Sequence, residues 1–335
     1  MSTPQVIPTT MQAIVQKRYG RPEHVLSAAV VSVPTPGPDE VLVRVAAAAV
    51  NALDWHLTAG EPMFARLVIG LRRPKRQVPG ADVSGTVAAV GDSVARWRVG
   101  DEVFGVVDDG GFAEFVARSE DHFVSRPEGL PLPDSAALGV AALTALQGLR
   151  DWGRLQPGQS VLINGASGGV GTFAVQLAKA LGAGHVTAVC STRNVEQAHA
   201  LGADEVVDYT TDSVADLGRG FDLFFDNAGS TRIREARRLV LEGGRYVVVT
   251  APKSRWLKPL PRMLATPFVF LGSGRTAVVG KVSERSTTDL QLLHDWVESG
   301  ALRPVIEATF PLSEGPEVVR RQGEFHATGK TLVLP

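Results

Sequence analysis

The sequence has almost no cysteine, few aromatic side chains and no excess of charge of either sign. Its single cysteine, Cys190, excludes an intramolecular disulfide, a multi-cysteine zinc site and a cysteine-ligated iron–sulfur cluster. The reducing cytoplasm is therefore the expected compartment. Lys and Arg total 34 against 35 for Asp and Glu, so the formal charge of −1 provides no overall attraction for nucleic acid or an anionic membrane.

Long apolar runs are also missing. No stretch reaches the roughly 18 apolar residues of a membrane span, so we expect no span. The amino terminus lacks the basic start and apolar core of a secretory signal. We expect its first residues to form a leader, with Met11 as an alternative functional start to Met1.

Length and pattern predict two domains, since 335 residues exceed one ordinary core. From Met11 to about Pro131, short Val-rich segments separated by turn residues predict a small barrel-like β domain. From Asp134 onward, strand and helix segments alternate, which indicates a parallel sheet covered on both faces. Within this part the pattern predicts a helix over REARRLVLEGG and then a strand over RYVVVTA. Strand character returns in the tail, which can pair back onto the first domain. We therefore predict an α/β fold with a discontinuous β-barrel domain (1–131 and 302–335) and a doubly wound parallel-sheet domain (132–301).

A glycine-rich turn is the sharpest motif. NGASGGVG follows a strand ending at Asn164, and Ala166-x-Gly168-x-x-Gly171 is a variant of a dinucleotide-binding fingerprint. Small residues allow a tight turn and close backbone approach to a pyrophosphate, while the helix N-terminus offers N–H groups to the phosphates. The predicted cofactor-binding residues of this turn are Gly165, Ala166, Ser167, Gly168, Gly169, Val170 and Gly171.

The end of the next strand predicts NADPH rather than NADH. An NAD enzyme usually carries Asp or Glu there to accept from the ribose 2′-OH, whereas this chain has Cys190 followed by Ser191, Thr192 and Arg193. Two hydroxyls and a guanidinium suit a 2′-phosphate. Tyr209 can add a hydroxyl from the end of a later strand. The alternative for Arg193 is a solvated residue at a helix start.

Six motifs in order carry a family resemblance. They are NALDWHLTAG from Asn51, PGADVSGTVAAVGDSVARWRVGDEVFG from Pro79, AALTALQGL, NGASGGVG, GADEVVDY and HATGKTLVL. Together they span nearly the whole chain, which resembles the medium-chain dehydrogenase/reductase superfamily and, within it, the zinc-independent quinone oxidoreductase-like branch. The resemblance implies a GroES-like β domain, a Rossmann domain, an active site in the cleft between them and a homodimer.

The resemblance also implies a site without metal. Zinc-dependent relatives carry a cysteine, a histidine and a third ligand at the positions of Asn51, Ala81 and Val140. The side chains found here cannot build a thiolate–imidazole zinc site. No metal is expected, although Asp54 and Asp82 are ionisable neighbours.

Without zinc, the chemistry favours substrates that are already electrophilic. Hydride transfer belongs to the nicotinamide, whereas oxidation of a simple alcohol requires loss of a proton that zinc normally promotes. Quinones and α,β-unsaturated ketones or aldehydes need only hydride, hydrogen-bond donors for the enolate and a proton. Asn51 and His56 are the predicted catalytic residues.

Asn51 is predicted to bond the nicotinamide ribose or the substrate carbonyl, or else to be a turn residue before a helix. His56 stands where relatives often carry a tyrosine and is the candidate proton donor. A structural histidine, with water as the proton source, is the alternative.

Further cofactor contacts are predicted from position. Asn227 ends a strand at the edge where doubly wound folds bind ligands. Thr144 matches a position near the nicotinamide, with a packed core threonine as the alternative. Lys330 resembles a lysine that reaches the cofactor from the tail, with an exposed turn lysine as the alternative. The remaining candidates are Thr250, Phe270 and Leu271.

Two basic stretches, from Met63 and from Pro252, mix Arg and Lys with large apolar residues. They either line the cleft and favour an anionic or bulky aromatic substrate, contact a membrane that holds quinones, or are solvated loops.

The sequence as a whole predicts an NADPH-dependent oxidoreductase that transfers hydride to a small electrophile, namely a quinone or an α,β-unsaturated carbonyl compound. The alternatives are a metal-free alcohol dehydrogenase or carbonyl reductase, a specialised biosynthetic reductase and, from another class, a non-catalytic NADPH-binding protein.

Overall fold

The computed structural model of the protein describes residues 6–61, 63, 66–249, 259–279, 282–324 and 327–335. A mixed seven-stranded sheet, a six-stranded parallel sheet and a two-stranded hairpin organise this part of the chain. No helix among the described residues has the length and apolar character needed to cross a membrane.

Fifteen strands and eleven α-helices form the described structure. The strands are β1 (Thr10–Gln16), β2 (Leu26–Ser32), β3 (Glu40–Val50), β4 (Asp82–Val90), β5 (Glu102–Val106), β6 (Phe115–Ser119), β7 (Phe123–Ser125), β8 (Ser160–Asn164), β9 (His185–Cys190), β10 (Glu205–Asp208), β11 (Phe221–Asp226), β12 (Val240–Val248), β13 (Thr276–Val279), β14 (Ile306–Pro311) and β15 (Lys330–Leu334). The helices are α1 (Pro22–Val25), α2 (Ala52–Ala59), α3 (Arg66–Ile69), α4 (Leu132–Ser135), α5 (Val140–Gln147), α6 (Gly169–Ala180), α7 (Val195–Ala200), α8 (Ile233–Leu239), α9 (Pro259–Phe270), α10 (Thr287–Glu298) and α11 (Gly315–Gln322).

The seven-stranded sheet joins the two ends of the chain. Its order is β14–β15–β3–β4–β5–β7, and β6 pairs with β3. Strand β15 runs antiparallel to β3, with Thr331 opposite Val50 and Leu332 opposite Ala49. The tail therefore returns to the first sheet, and the predicted discontinuous β domain is confirmed. The domain boundaries near residues 131 and 302 stay a prediction.

The six-stranded sheet has the order β10–β9–β8–β11–β12–β13 with every pair parallel. Successive residues of β8 face opposite cores, since Val161 and Ile163 pack on one side and Leu162 on the other. Apolar residues on both faces of a parallel strand require helices on both sides. The predicted doubly wound fold is confirmed, and its strand order reverses between β8 and β11, where such folds bind ligands.

Strand β12 begins earlier than the sequence pattern predicted. Helix α8 ends at Leu239, and Val240 already has an extended backbone and pairs with Phe221 of β11. Val240 is β-branched and only 1% exposed, so it fits a buried strand. The segment VLEGG, predicted as the end of a helix, is therefore strand.

Packing of α6 against the glycine-rich turn gives a direct prediction for Gly171. A Cβ atom at Gly171 would lie 2.1 Å from the carbonyl oxygen of Gly165. We expect Gly171→Ala to lower the free energy of unfolding by about 1–3 kcal/mol, measured by urea denaturation, because the turn must open. Gly129→Ala is the matched control, since a Cβ at Gly129 would meet no atom within 4 Å. Equal stability of the two variants would contradict the close approach.

Candidate functional site

The glycine-rich turn connects β8 to α6 at the point where the strand order reverses. Gly165 has φ +79°, and the N–H groups of Gly165 and Ala166 both donate to the Val189 carbonyl of β9. A Cβ at Gly168 would meet nothing nearer than 3.9 Å, so the turn is open on that side. The first N–H groups of α6 have no intrahelical acceptor and suit an anion. The predicted residues that are partly exposed around this opening are Gly165, Ser167, Gly168, Gly169 and Val170.

Two of the predicted residues from distant parts of the chain border this turn. The Asn227 side chain donates from Nδ2 to the Gly165 carbonyl at 3.3 Å. Lys330 packs on the start of α6, since a Cβ at Gly169 would lie 2.9 Å from Lys330 Cδ. Lys330 is 2% exposed, so the alternative of an exposed turn lysine is wrong.

The residues predicted to select NADPH lie together. Ser191, Thr192, Arg193 and Tyr209 line an open concavity of about 360 Å³ beside the ends of β9 and β10. Thr192, Arg193 and Tyr209 are exposed and Ser191 is half-buried. Hydroxyl and guanidinium groups that face a common space can bind a phosphate.

Sequence reasoning missed a carboxylate next to this concavity. Asp208 ends β10 opposite Cys190, and Thr210 donates to its Oδ1 from both the backbone nitrogen and the hydroxyl. Hydrogen bonding from Thr192, and from Thr210, lowers the pKa of Asp208 below its usual value. The signal was available in the position of Asp208 before Tyr209, because β10 adjoins β9 in this strand order. The Cys190 thiol itself is buried, which raises its pKa to about 11.

A buried polar network lies where the two sheets adjoin. Asn51 precedes α2, and its Nδ2 donates to Asp82 Oδ2 at 2.8 Å and to the Ala49 carbonyl at 3.2 Å. Lys330 Nζ donates to Asn51 Oδ1 at 2.6 Å and to the Val50 carbonyl at 3.2 Å. All of these side chains are at least nine-tenths buried.

This network determines what Asn51 can do. Both N–H groups of its amide are already donated, and its oxygen accepts from Lys330. An amide oxygen has a second lone pair, so Asn51 retains the capacity to accept one more hydrogen bond but not to donate one. Of its two predicted roles, a bond to a ribose hydroxyl fits this arrangement, whereas donation to a substrate carbonyl does not.

Asp82 connects four segments through one side chain. Its Oδ2 accepts from Asn51, and its Oδ1 accepts at 2.9 Å from the backbone nitrogen of Val140, which is the first residue of α5. Its Oδ2 lies 3.8 Å from Lys330 Nζ. A Cβ on Gly139 would lie 2.2 Å from Asp82 Oδ1, so this contact requires a glycine before α5. The sequence marked Asp82 only as an ionisable neighbour.

Burial removes water from the charged groups of this network, so their charged forms are disfavoured. Burial raises the pKa of Asp54 to about 7, and the negative charge of Asp82 adds to the rise. Hydrogen bonds from the backbone of Asn51 and Gly80, together with the Lys330 ammonium, oppose it. Burial likewise raises the pKa of Asp82 and lowers that of Lys330, and their mutual attraction opposes both shifts. One ammonium faces two carboxylates, so the network favours holding a proton near neutral pH.

His56 lies on α2 with a half-buried ring. Its Nδ1 is 3.2 Å from the Glu61 carbonyl, and the ring meets Trp55 edge to face at 5.2 Å. A carbonyl accepts only, so Nδ1 carries the hydrogen. In the neutral ring Nε2 is then an acceptor, and His56 can donate from Nε2 only as imidazolium.

The remaining predicted contacts fall in different surroundings. The Thr144 hydroxyl lies 2.7 Å from the Val140 carbonyl within α5 and 3.0 Å from Ser283 Oγ. Phe270 is buried and stacks on Tyr246 with ring centroids 5.7 Å apart. Leu271 is exposed. Thr250 lies outside the described residues.

The basic stretches are only partly described. In the first, Arg66 lies 4.5 Å over the Tyr19 ring and Arg76 pairs with Asp109 at 2.5 Å, while Leu71 is exposed. Most of the second stretch lies outside the described residues. The three interpretations of these stretches therefore stay predictions.

The donor set does not fit zinc. Ala81 and Val140 have no side-chain donor atom, and the Asn51 amide is committed to Asp82 and Lys330. The Lys330 ammonium would also repel a cation placed beside it. Across the described residues, no three His, Cys, Asp or Glu side chains are grouped so that they can hold a metal ion.

Known proteins resemble the chain along almost its full length. Residues 37–128 match the Alcohol dehydrogenase GroES-like domain family, and residues 201–333 match the family described as Zinc-binding dehydrogenase. The chain is 33% identical over 340 residues to the chloroplastic quinone-oxidoreductase homolog of Spinacia oleracea, covering 97% of this chain and 98% of that protein.

Two further similarities concern a reductase and a solved structure. The chain is 31% identical over 343 residues to the chloroplastic NADPH-dependent alkenal/one oxidoreductase of Arabidopsis thaliana, covering 98% of this chain and 81% of that protein. The structure of the quinone oxidoreductase from Coxiella burnetii superimposes with a TM-score of 0.84 at 28% identity, covering 97% of this chain and 99% of that chain.

The raised pKa of Asp54 predicts how its replacement changes stability with pH. The folded-state pKa of about 7 exceeds the ordinary aspartate value of 3.8, which applies to the unfolded chain. Between pH 4 and pH 7 the folded protein therefore binds one more proton than the unfolded chain, and its free energy of unfolding falls as pH rises from about 4 to about 7. Asp54→Asn cannot ionise and lacks this loss. We expect the Tm of Asp54→Asn, relative to the native protein, to increase from pH 5 to pH 8.

The control for this comparison is Asp92→Asn, which changes an exposed aspartate in a surface turn. Its Tm difference from the native protein should stay constant over the same pH range. A constant difference for Asp54→Asn as well would mean that the Asp54 carboxyl is ionised throughout and that the raised pKa is wrong.

Proposed function

Because the chain belongs to the medium-chain dehydrogenase/reductase superfamily, in its quinone-oxidoreductase-like branch, we propose that it is an NADPH-dependent reductase that works without zinc. Its substrate class is a quinone or an α,β-unsaturated ketone or aldehyde. The names of the two relatives, a quinone-oxidoreductase homolog and an alkenal/one oxidoreductase, support this class.

One observation carries the proposal. The glycine-rich turn opens α6 between β8 and β11, and Asn227 and Lys330 reach it from other segments. A backbone turn with free donors at this crevice is the usual cradle for a dinucleotide pyrophosphate. The partly exposed turn and the buried network beside it therefore suit a bound nicotinamide nucleotide.

The choice of NADPH is supported by the concavity at the ends of β9 and β10. Arg193, Ser191 and Tyr209 offer a cation and two hydroxyls to a 2′-phosphate. Asp208 acts against an anion at this place, but Thr192 and Thr210 already surround its carboxylate with hydrogen-bond donors. The balance favours the phosphate because the Arg193 guanidinium is exposed and lines the same concavity.

The proposed chemistry assigns one task to each group. The nicotinamide supplies the hydride when it is bound. Asn51 accepts a hydrogen bond from the nicotinamide ribose, and Lys330 holds Asn51 in place. His56 as imidazolium, or water, delivers a proton to the substrate enolate that forms after hydride addition. A conjugated acceptor needs no metal for this sequence, since no alcohol proton has to be removed first.

Two further expectations belong to the proposal. A homodimer is supported by β13, which ends the parallel sheet in the described structure, and by the exposed apolar side chains Leu264, Phe268 and Leu271 on and beside α9. The cytoplasm stays the expected compartment, because a chain with one buried cysteine needs no oxidising environment to form disulfides.

The substrate class is tested by NADPH oxidation at 340 nm with a quinone, an enone, an enal and a saturated ketone. We expect turnover of the three conjugated acceptors, none or little of the saturated ketone, and no effect of a metal chelator. Preference for the saturated ketone would favour a carbonyl reductase. Tight NADPH binding without turnover of any acceptor would favour a binding protein.

The cofactor choice is tested by Arg193→Ala. We expect its KM for NADPH to rise about tenfold, because a hydrogen bond to a charged group is lost, with the KM for NADH unchanged. Arg98→Ala removes an exposed arginine near β5 and is the control. An equal rise for both cofactors would show that Arg193 does not contact the 2′-phosphate.

A further inference from the structure

We propose that Asp82 is a positioning residue for the nicotinamide-binding cleft. Its carboxylate keeps Asn51, Lys330 and the start of α5 in one arrangement, and cofactor affinity depends on that arrangement. This inference rests on the proposed function insofar as the ligand is a nicotinamide nucleotide, but it does not depend on which substrate is reduced.

The first support is geometric. Asp82 Oδ1 accepts from Val140 N at 2.9 Å, and Asp82 Oδ2 accepts from Asn51 Nδ2 at 2.8 Å. Val140 begins the helix that leads into the parallel-sheet half of the chain, whereas Asn51 directly follows β3 of the other sheet. One wholly buried carboxylate therefore ties the two halves of the chain together at this point.

The second support is the orientation of the Asn51 amide. Its nitrogen faces the Asp82 acceptor and its oxygen faces the Lys330 donor, so only one of the two amide orientations satisfies both neighbours. If the residue at position 82 were an amide, it would offer a donor as well as an acceptor, and only Lys330 and the Ala49 carbonyl would then hold Asn51 in this orientation. Asp82 thus shares with Lys330 the task of fixing which atom Asn51 presents to the cofactor.

The third support is the path from Asp82 to the phosphate-binding turn. Lys330 Nζ lies 3.8 Å from Asp82 Oδ2, and the Lys330 side chain packs on Gly169. Removal of the Asp82 charge leaves Asp54 as the nearest carboxylate for the Lys330 ammonium. A shift of the ammonium towards Asp54 would move the side chain that borders the start of α6, so the effect would reach the pyrophosphate end of the cleft.

The test compares Asp82→Asn, Asn51→Asp and the double variant that exchanges the two residues. Each single change breaks the pairing of one acid with one amide, and the exchange restores it in reverse order. NADPH dissociation constants are measured by fluorescence titration without any acceptor substrate. We expect each single variant to bind NADPH about tenfold more weakly, and the double variant to bind more tightly than either single one. The recovery should be partial, because a carboxylate at position 51 cannot donate to the Ala49 carbonyl.

A second readout separates positioning from a loss of packing. The charged groups that face Asp54 in the described structure are Asp82 and Lys330, and the backbone of Asn51 and Gly80 donates to its carboxylate. Because Asp54 belongs to the same arrangement, we expect NADPH affinity to change in a step at the pH at which Asp54 loses its proton. Asp82→Asn removes a negative charge beside Asp54, so this step should move to lower pH. Lys330→Met removes a positive charge and should move the step to higher pH. Asp54→Asn, which lacks the step, supplies the reference profile.

The outcomes separate this inference from the proposed function. Native-like NADPH affinity of Asp82→Asn would overturn the inference, as would a double variant that binds NADPH no more tightly than either single variant. If Asp82→Asn does not fold, the double variant and the pH profile of NADPH affinity in Lys330→Met are the deciding measurements. A step that moves to lower pH in Lys330→Met would then overturn the inference. Weakened binding in Asp82→Asn, in a protein that reduces no conjugated acceptor, would support the inference and contradict the proposed function. A native protein that binds neither NADPH nor NADH would overturn both.

Discussion

Burial of the Asp82 carboxylate between the two sheets is the constraint on which the rest of the site depends. A fully buried charge is tolerated only when hydrogen bonds and an opposite charge compensate its lost hydration. Here the compensation comes from Asn51, from the first N–H of α5 and from Lys330. Each partner belongs to a different segment, so satisfying one carboxylate also brings those segments together. The glycine before α5 follows from the same requirement, because a side chain there would collide with the carboxylate.

The same network occupies the place at which zinc-dependent relatives bind their metal. The three positions at which zinc-dependent relatives place ligands all adjoin Asp82, since Ala81 precedes it and Asn51 and Val140 bond to it. In this chain a lysine ammonium is the cation of the network. An ammonium balances charge and donates hydrogen bonds, but it does not polarise an alcohol as a Lewis acid does. That difference supports the proposed preference for acceptors that are electrophilic before they bind.

Much of the fold was predictable because its signals are local. Strand and helix alternation indicated the parallel sheet, and the small residues between Gly165 and Gly171 indicated a turn that a side chain would block. The start of β12 was not predictable from the pattern, because Val240 is fixed by pairing with Phe221 rather than by its neighbours in sequence. The buried network of Asn51, Asp82 and Lys330 could not be predicted either, because it also depends on long-range contacts. Lys330 and Asn51 are 279 residues apart, and no periodicity links them. Asp208 was missed because only the residues at the end of β9 were considered, although β10 pairs with β9 and places Asp208 opposite Cys190.

The raised pKa of Asp54 implies that the buried network of Asp54, Asp82 and Lys330 holds a proton near neutral pH. The most direct measurement is a carbon-13 NMR titration of the aspartate carboxyl groups, with the Asp54 resonance identified by its loss in Asp54→Asn. The account predicts that Asp54 titrates near pH 7 and that the resonance of Asp82 changes when a nicotinamide nucleotide is added. An Asp54 resonance that titrates near pH 4, with Asp82 unaffected by the nucleotide, would contradict it.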